Sequence, residues 1–240
     1  MPAYEIRLER REEVAEGTTA FYFEKPAGFE FEAGQFLNYT LIDPPETDAE
    51  GNLRSFTIAS APFEEELMLA TRMRDTAFKR VLKAMPAGTE VKIEGPFGSF
   101  TLHRDTSRAA VFVAGGIGIT PFRSMILDTA RKKSSHRLFL FYSNRRPEDA
   151  AFLAELQAVE KKNPSFQFIG TMTGMEKSRQ PWQGETGFID APMLARHLDD
   201  LSTPIYYSAG PPAMVTAMRE MLLGAGVSED DIRAEDFAGY

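Results

Sequence analysis

The chain has 240 residues, 43% hydrophobic and 26% charged, with a net charge of −8 and no cysteine. That length fits two domains of roughly 100 to 150 residues, and the missing cysteine excludes disulfides, thiolate-bound zinc and any iron–sulfur cluster held by these residues. The acidic balance argues against general nucleic-acid binding, no apolar run approaches the ~18 residues of a membrane span, and the polar stretch from Met1 to Glu16 has no secretory core, so a cytoplasmic location is expected.

In chain order, residues 4–10, 18–24, 35–41, 55–59, 66–72 and 89–94 read as short strands separated by Gly- and Pro-containing turns such as Pro26-Ala27-Gly28 and Pro86-Ala87-Gly88. With one helical stretch at about 76–84, they predict a small antiparallel β-barrel over residues 1–104. From residue 108 the period changes. Buried strands are expected at 109–114, 137–143, 166–171, 204–209 and 232–237, with helices near 120–132, 148–162, 191–198 and 213–224. Such alternation predicts an α/β domain over 108–240 with a doubly wound parallel sheet. His103, His136 and His197 offer no metal-ligand spacing.

The strand Val111-Phe112-Val113-Ala114 runs into Gly115-Gly116-Ile117-Gly118-Ile119-Thr120-Pro121. Thr120 is expected to cap a helix with Pro121 at its first position, and the glycines let the backbone approach a diphosphate at the helix N-terminus. A tight strand-to-helix connection without a ligand has the same pattern. A second such turn, Ser208-Ala209-Gly210-Pro211-Pro212, is expected beside the first on the carboxyl edge of the sheet, and two turns on one edge favour a dinucleotide.

Arg54-Ser55-Phe56-Thr57-Ile58-Ala59-Ser60 puts an Arg, an aromatic ring and hydroxyls on one extended stretch, a set suited to a flavin and its phosphates. Alternation places Arg54, Phe56, Ile58 and Ser60 on one face, which also describes an ordinary core strand with an exposed Arg. Thr76-Ala77, just after Arg72 and Arg74, offers a hydroxyl at a helix start, either a second phosphate site or a plain N-cap.

Taken with Gly34-Gln35-Phe36, Gly95-Pro96-Phe97-Gly98, Gly210-Pro211-Pro212-Ala213-Met214 and Glu235-Asp236-Phe237, these motifs, in this order, resemble the ferredoxin–NADP reductase superfamily, bacterial type without an iron–sulfur domain. The resemblance implies an FAD-binding barrel followed by an NAD(P)-binding domain. It places Arg54 on the FAD pyrophosphate, Phe56 against the isoalloxazine, Ser55 beside them and the Thr57 hydroxyl near flavin N5. Arg72 and Arg74 fall along the FAD, with Thr76 and the Ala77 amide on its phosphates. Gly115, Gly116, Gly118 and Thr120 would receive the nicotinamide dinucleotide's pyrophosphate, and Gly210, Pro211 and Met214 would line the nicotinamide. Glu235 takes the place of a carboxylate near the flavin, and Phe237 or Tyr240 that of the aromatic that shields it. Thr57 and Glu235 are the expected catalytic pair. Many members carry Cys where this chain has Ala209, which leaves more room and no sulfur at the transferring hydride.

The second strand of the α/β domain ends Tyr142-Ser143-Asn144-Arg145-Arg146, with no acid before Glu148. Basic groups there suit a ribose 2′-phosphate, favouring NADPH over NADH, with Arg145 as the contact. With no cluster of its own, such a reductase passes electrons to a protein acceptor. A ferredoxin or flavodoxin docked on Arg72, Arg74, Lys79, Arg80 and Lys83 is the first expectation and an oxygenase component the second. A flavin-binding electron-transfer or redox-sensing module without independent turnover is the reading from another class.

Overall fold

A computed structural model of the chain describes residues 3–237. The first six strands are β1 (Ala3–Ala15), β2 (Thr18–Glu24), β3 (Phe36–Leu41), β4 (Leu53–Thr57), β5 (Glu66–Arg72) and β6 (Glu90–Phe97). They form one antiparallel sheet in the order β4-β3-β6-β1-β2-β5. The ends approach each other where the Ala59 amide donates to the Met68 carbonyl at 2.7 Å and the Met68 amide to Ser60 Oγ at 3.0 Å, curling the sheet into a barrel. Its interior is a cluster including Ile6, Leu8, Phe21, Phe23, Leu37, Tyr39 and Ile93, plugged at one end by helix α1 (Ala77–Ala84) through Phe78, Val81 and Leu82.

The second sheet runs β10-β9-β8-β7-β11-β12 and is parallel throughout. Its strands are β7 (Ala110–Gly115), β8 (Leu138–Asn144), β9 (Phe166–Met172), the short β10 (Glu185–Thr186), β11 (Ile205–Gly210) and β12 (Ile232–Asp236). The helices are α2 (Ile119–Lys132), α3 (Leu153–Glu160), α4 (Ala191–His197) and α5 (Pro212–Gly224). The two-residue period of the strands sorts the core. Ala110, Phe112 and Ala114 of β7 face a cluster with Phe122, Met125 and Leu156 of α2 and α3, whereas Val111 and Val113 face Met193, Leu194, Met218 and Leu222 of α4 and α5. The first of these clusters also takes in Ala20, Ala59, Met68, Ala70 and Phe100 of the barrel, so the halves share a continuous apolar seam.

Two local expectations are corrected. Helix α2 begins at Ile119, because a 3-10 turn at Gly116–Gly118 runs straight into it. Thr120 therefore lies inside the first turn and is no cap: its hydroxyl donates to the Ile117 carbonyl at 3.1 Å. The helix expected over 148–162 is confined to Leu153–Glu160, preceded by a separate 3-10 turn at Pro147–Asp149. Phe152 breaks the continuity with φ of 60°, a left-handed conformation rare for a bulky residue, while its ring is buried in the seam.

The linker after β6 is fastened to the second sheet through Tyr207, among other contacts. The Tyr207 hydroxyl accepts from the His103 amide at 2.8 Å and from Arg233 Nη1 at 3.0 Å, and lies 3.0 Å from His103 Nδ1. Burial pushes the His103 pKa down, favouring the neutral ring that can take the phenolic proton at Nδ1. Tyr207→Phe strands these buried partners and is expected to destabilise the protein by about 1–3 kcal/mol in denaturant unfolding.

Candidate functional site

Strand β7 lies between β8 and β11, so the strand order reverses there, and a crevice opens at the carboxyl edge of such a switch point. Both glycine turns meet at it. A Cβ on Gly118 would come within 2.1 Å of the Ala209 carbonyl oxygen, and one on Gly115 within 2.5 Å of Met214 Sδ. Gly210, at φ of 155°, approaches the Gly115 backbone closely. The structure thus brings Gly115, Gly116, Gly118, Gly210, Pro211 and Met214 together at the start of α2 and α5.

At the end of β8, Asn144 is buried with its Nδ2 unpaired. Nothing in the sequence singled it out beyond its place as the last residue of a strand. Beside it Arg145 is exposed, whereas Arg146 is bound to Asp149 at 2.7 Å and to Glu16 of the barrel at 3.4 Å.

On the barrel, Phe56 is held between Tyr39, edge-on at 5.9 Å, and Phe78 at 5.8 Å. Ser55 is exposed and donates to Asn38 Oδ1 at 2.6 Å. Thr57 is buried at the end of β4. Thr76 caps α1, accepting from the Lys79 amide at 3.4 Å. Around this N-terminus stand Arg54, Arg72, Arg74 and Lys79. Burial above all, with Arg74 and Arg54 adding repulsion, pushes the Lys79 amine down to about 8.

The acid that partly answers them comes from the loop 43–52. Arg54 Nη2 donates to Asp48 Oδ1 at 3.1 Å and lies 2.9 Å from Glu50 Oε2, while Nη1 donates to the carbonyls of Glu50, Gly51 and Leu53. Desolvation works against the Asp48 carboxylate, yet the Glu50 amide, Arg54 and the Ala77 amide hold its pKa below the usual value. A carboxylate therefore sits on the first amide of α1 and on Arg54 together. Lys79 and Arg80 fit the expected basic docking face poorly. The Lys79 amine turns inward to the Arg72 carbonyl at 2.8 Å, and Arg80 is tied to Glu46 and Asp75, each at 2.5 Å.

The third piece is β12. Glu235 pairs with Ala209 across the β11–β12 ladder, and the Phe237 amide donates to the Gly210 carbonyl at 3.0 Å. Phe237 packs on the seam cluster, as does Ile117, while Tyr240 lies outside the described residues. Burial pushes the Glu235 carboxyl up to about 7. Two cavities of about 700 and 690 Å³, one beside Trp182 and His197 and one beside Phe29 and Phe63, lie away from these turns and take no part in them.

Residues 112–220, from within β7 to the last turns of α5, match the oxidoreductase NAD-binding domain. Among curated relatives, a component of the Na(+)-translocating NADH-quinone reductase of Methylococcus capsulatus is 37% identical over 157 residues, 63% of this chain and 38% of that protein. Among solved structures, the flavohem-like FAD/NAD-binding domain of nitric oxide dioxygenase from Vibrio cholerae superposes with a TM-score of 0.83 at 17% identity, covering 97% of this chain and 98% of that one. A ferredoxin NADP+ reductase from Neisseria gonorrhoeae with bound FAD and NADP gives 0.81 at 20% identity and 98% of both chains. The chain therefore has the two-domain fold of ferredoxin reductase-like FAD/NAD-binding proteins, with an oxidoreductase NAD-binding domain as its second half. It spans about two fifths of the first curated relatives' length. Here the two glycine turns of the matched segment and the Arg54–Thr57 strand come from different sheets.

The raised Glu235 pKa has a stability consequence. The folded state binds this proton more tightly than the unfolded chain, so the stabilisation is complete below the ordinary value of 4.5 and is lost as pH rises through about 7. In denaturant unfolding, wild type should lose stability relative to Glu235→Gln between these two values, with the difference level above them.

Proposed function

We propose that the chain is an FAD-dependent reductase that takes a hydride from NADPH or NADH and passes electrons to a separate acceptor. The observation that carries this reading is the pairing of two ends suited to anions: interlocked glycine turns at the switch point, and, on the barrel, the start of α1, where Arg54 lies over Phe78 beside Phe56.

The residues fit both groups. Asp48 already places an oxyanion on the Ala77 amide and Arg54, so a diphosphate oxygen meets a set that accepts one. Arg54, Arg72, Arg74, Thr76 and Ala77 would hold the FAD phosphates, with Ser55 alongside and Phe56 against the ring. Gly115, Gly116 and Gly118 with the start of α2, on which Thr120 sits, would hold the dinucleotide diphosphate, and the unpaired Asn144 Nδ2 supplies a donor at the same edge. Gly210, Pro211 and Met214 would flank the nicotinamide.

Bound together, the cofactors supply hydride transfer from nicotinamide C4 to flavin N5 and release of electrons onward. The chain orients them and excludes water. Thr57, buried at the end of β4, would be the residue whose hydroxyl serves the flavin N5. Glu235, with a pKa near neutrality, is placed to hold or give a proton at pH 7. Phe237, or Tyr240 in its place, would cover the flavin and have to move for the nicotinamide to reach it.

The acceptor is a separate electron carrier. Ferredoxin, flavodoxin and an oxygenase component remain the protein candidates, and the relatives' name adds a quinone-reducing assembly in which this chain's counterpart is one part. No helix among the described residues is long and apolar enough to cross a membrane. The replacement of the usual Cys by Ala209 favours a second reading, a flavin module without turnover, which the same experiment decides.

In anaerobic stopped flow, NADPH or NADH should bleach the bound flavin rapidly; a flavin that neither reduces leaves the module. Arg145→Ala should weaken NADPH binding about tenfold while leaving NADH unchanged if Arg145 meets a 2′-phosphate. Asp48→Asn removes the competing carboxylate and should tighten FAD binding to the apoprotein about fivefold in a fluorescence titration, since an amide holds Arg54 less strongly.

A further inference from the structure

Arg123 is a charged side chain inside the seam between the two domains, 5% exposed, and the reaction as described does not use it. It lies on α2, one turn after the glycine-rich loop. Its Nη1 donates to the Ala59 carbonyl at 2.8 Å and to Glu64 Oε2 at 2.9 Å, and Nη2 reaches Glu64 Oε1 at 3.2 Å. Nε and Nη2 donate to the Glu155 carboxylate of α3, each at 2.7 Å. The next residue, Ser124, donates to the Ser60 carbonyl at 2.7 Å. Glu64 in turn accepts from the Ala61 amide at 2.6 Å, so its carboxylate closes the turn that follows β4.

Two consecutive residues of α2 therefore grip Ala59 and Ser60, two and three residues beyond Thr57. The same helix begins at the dinucleotide turn. The guanidinium is satisfied from both sides, with one carboxylate from each domain, and its planar fork fixes direction as well as distance.

We propose that Arg123 is a positioning residue for hydride transfer, setting the separation between the Thr57 end of β4 and the Gly115–Thr120 turn through its cross-domain bonds to Ala59 and Glu64. The proposal rests on the reductase reading above. It separates the two halves of one ion cluster: the bond to Glu64 crosses the seam, whereas the bond to Glu155 stays within the α/β domain. Misplacing reacting atoms by about 1 Å can cost on the order of a hundredfold in rate, so the cross-domain half should govern rate and the other half stability alone.

The test uses the FAD-loaded full chain with Arg123→Lys, Glu64→Gln and Glu155→Gln, and reads four quantities. These are the melting temperature, nicotinamide affinity, the limiting rate of flavin bleaching, and the long-wavelength charge-transfer absorbance of nicotinamide stacked on flavin. Glu64→Gln should slow bleaching about tenfold and weaken the charge-transfer band while affinity stays within about twofold. Glu155→Gln should lower the melting temperature comparably with rate and band near wild type. Arg123→Lys, which keeps the charge but loses the fork, should follow Glu64→Gln. If the two carboxylate variants slow bleaching equally, or Glu64→Gln shifts only the melting temperature, Arg123 is a structural bond and the proposal fails. Should Arg123→Lys fail to fold, the carboxylate pair still decides. A wild-type flavin that no nicotinamide reduces sinks the reductase reading itself, and the proposal with it.

Discussion

A guanidinium buried between two domains constrains everything around it. Removing a charge from water costs several kcal/mol per ion, recovered only when geometry and hydrogen bonds are good. Arg123 meets that condition only when the barrel brings the Ala59 carbonyl and Glu64 to it and the α/β domain brings Glu155. Apolar residues of the same volume would hold the seam at least as firmly, and the surrounding cluster of Ala20, Met68, Phe100, Phe112 and Phe122 already does so. What the ion cluster adds is direction. A sliding apolar interface admits many registers, whereas a five-donor fork shared by carboxylates from both halves admits few.

That constraint matters because the candidate site is assembled from strand ends of two sheets. Gly115 and Gly210 close parallel strands at a switch point, and Thr57 closes an antiparallel strand of the barrel. Neither sheet contains a complete site. The electrostatics follow the same division. A chain of net charge −8 gathers Arg54, Arg72, Arg74 and Lys79 near one helix start, and the loop 43–52 turns Asp48 and Glu50 onto Arg54.

The periodic parts of this molecule were legible in the sequence. Alternation along Ala110–Ala114 encodes two buried faces, and glycines at 115, 118 and 210 mark where backbones touch within what a Cβ would occupy. The order of the motifs carried the two-domain fold. Less legible was whatever depends on a partner distant in sequence. Thr120-Pro121 looks like a cap and first turn, but the 3-10 turn before it starts the helix earlier. Phe152 interrupts the helical pattern just before Leu153, its ring buried in the seam. Arg123-Ser124 reads as a polar pair on a helix, and only folding shows that it faces Ala59 and Ser60. Asn144 carries no motif at all, and the loop acids give no sign in sequence that they close on Arg54.

The cations near α1 bear on the acceptor as well, because one charge cannot serve two anions fully. Arg80 is neutralised by Glu46 and Asp75, and the Lys79 amine is folded back to a carbonyl. If Arg72 and Arg74 hold the FAD phosphates, only Lys83 of the five expected docking cations remains uncommitted. A single exposed lysine contributes little to long-range steering at physiological ionic strength, where the screening length is about 8 Å. Steered association needs a field summed over many charges, and the same surface carries Asp75 and the acids of the loop 43–52. An acidic carrier docking here would meet local repulsion. The electrostatics of this edge therefore favour an acceptor that approaches by another face, or one recognised by shape and apolar contact instead of charge.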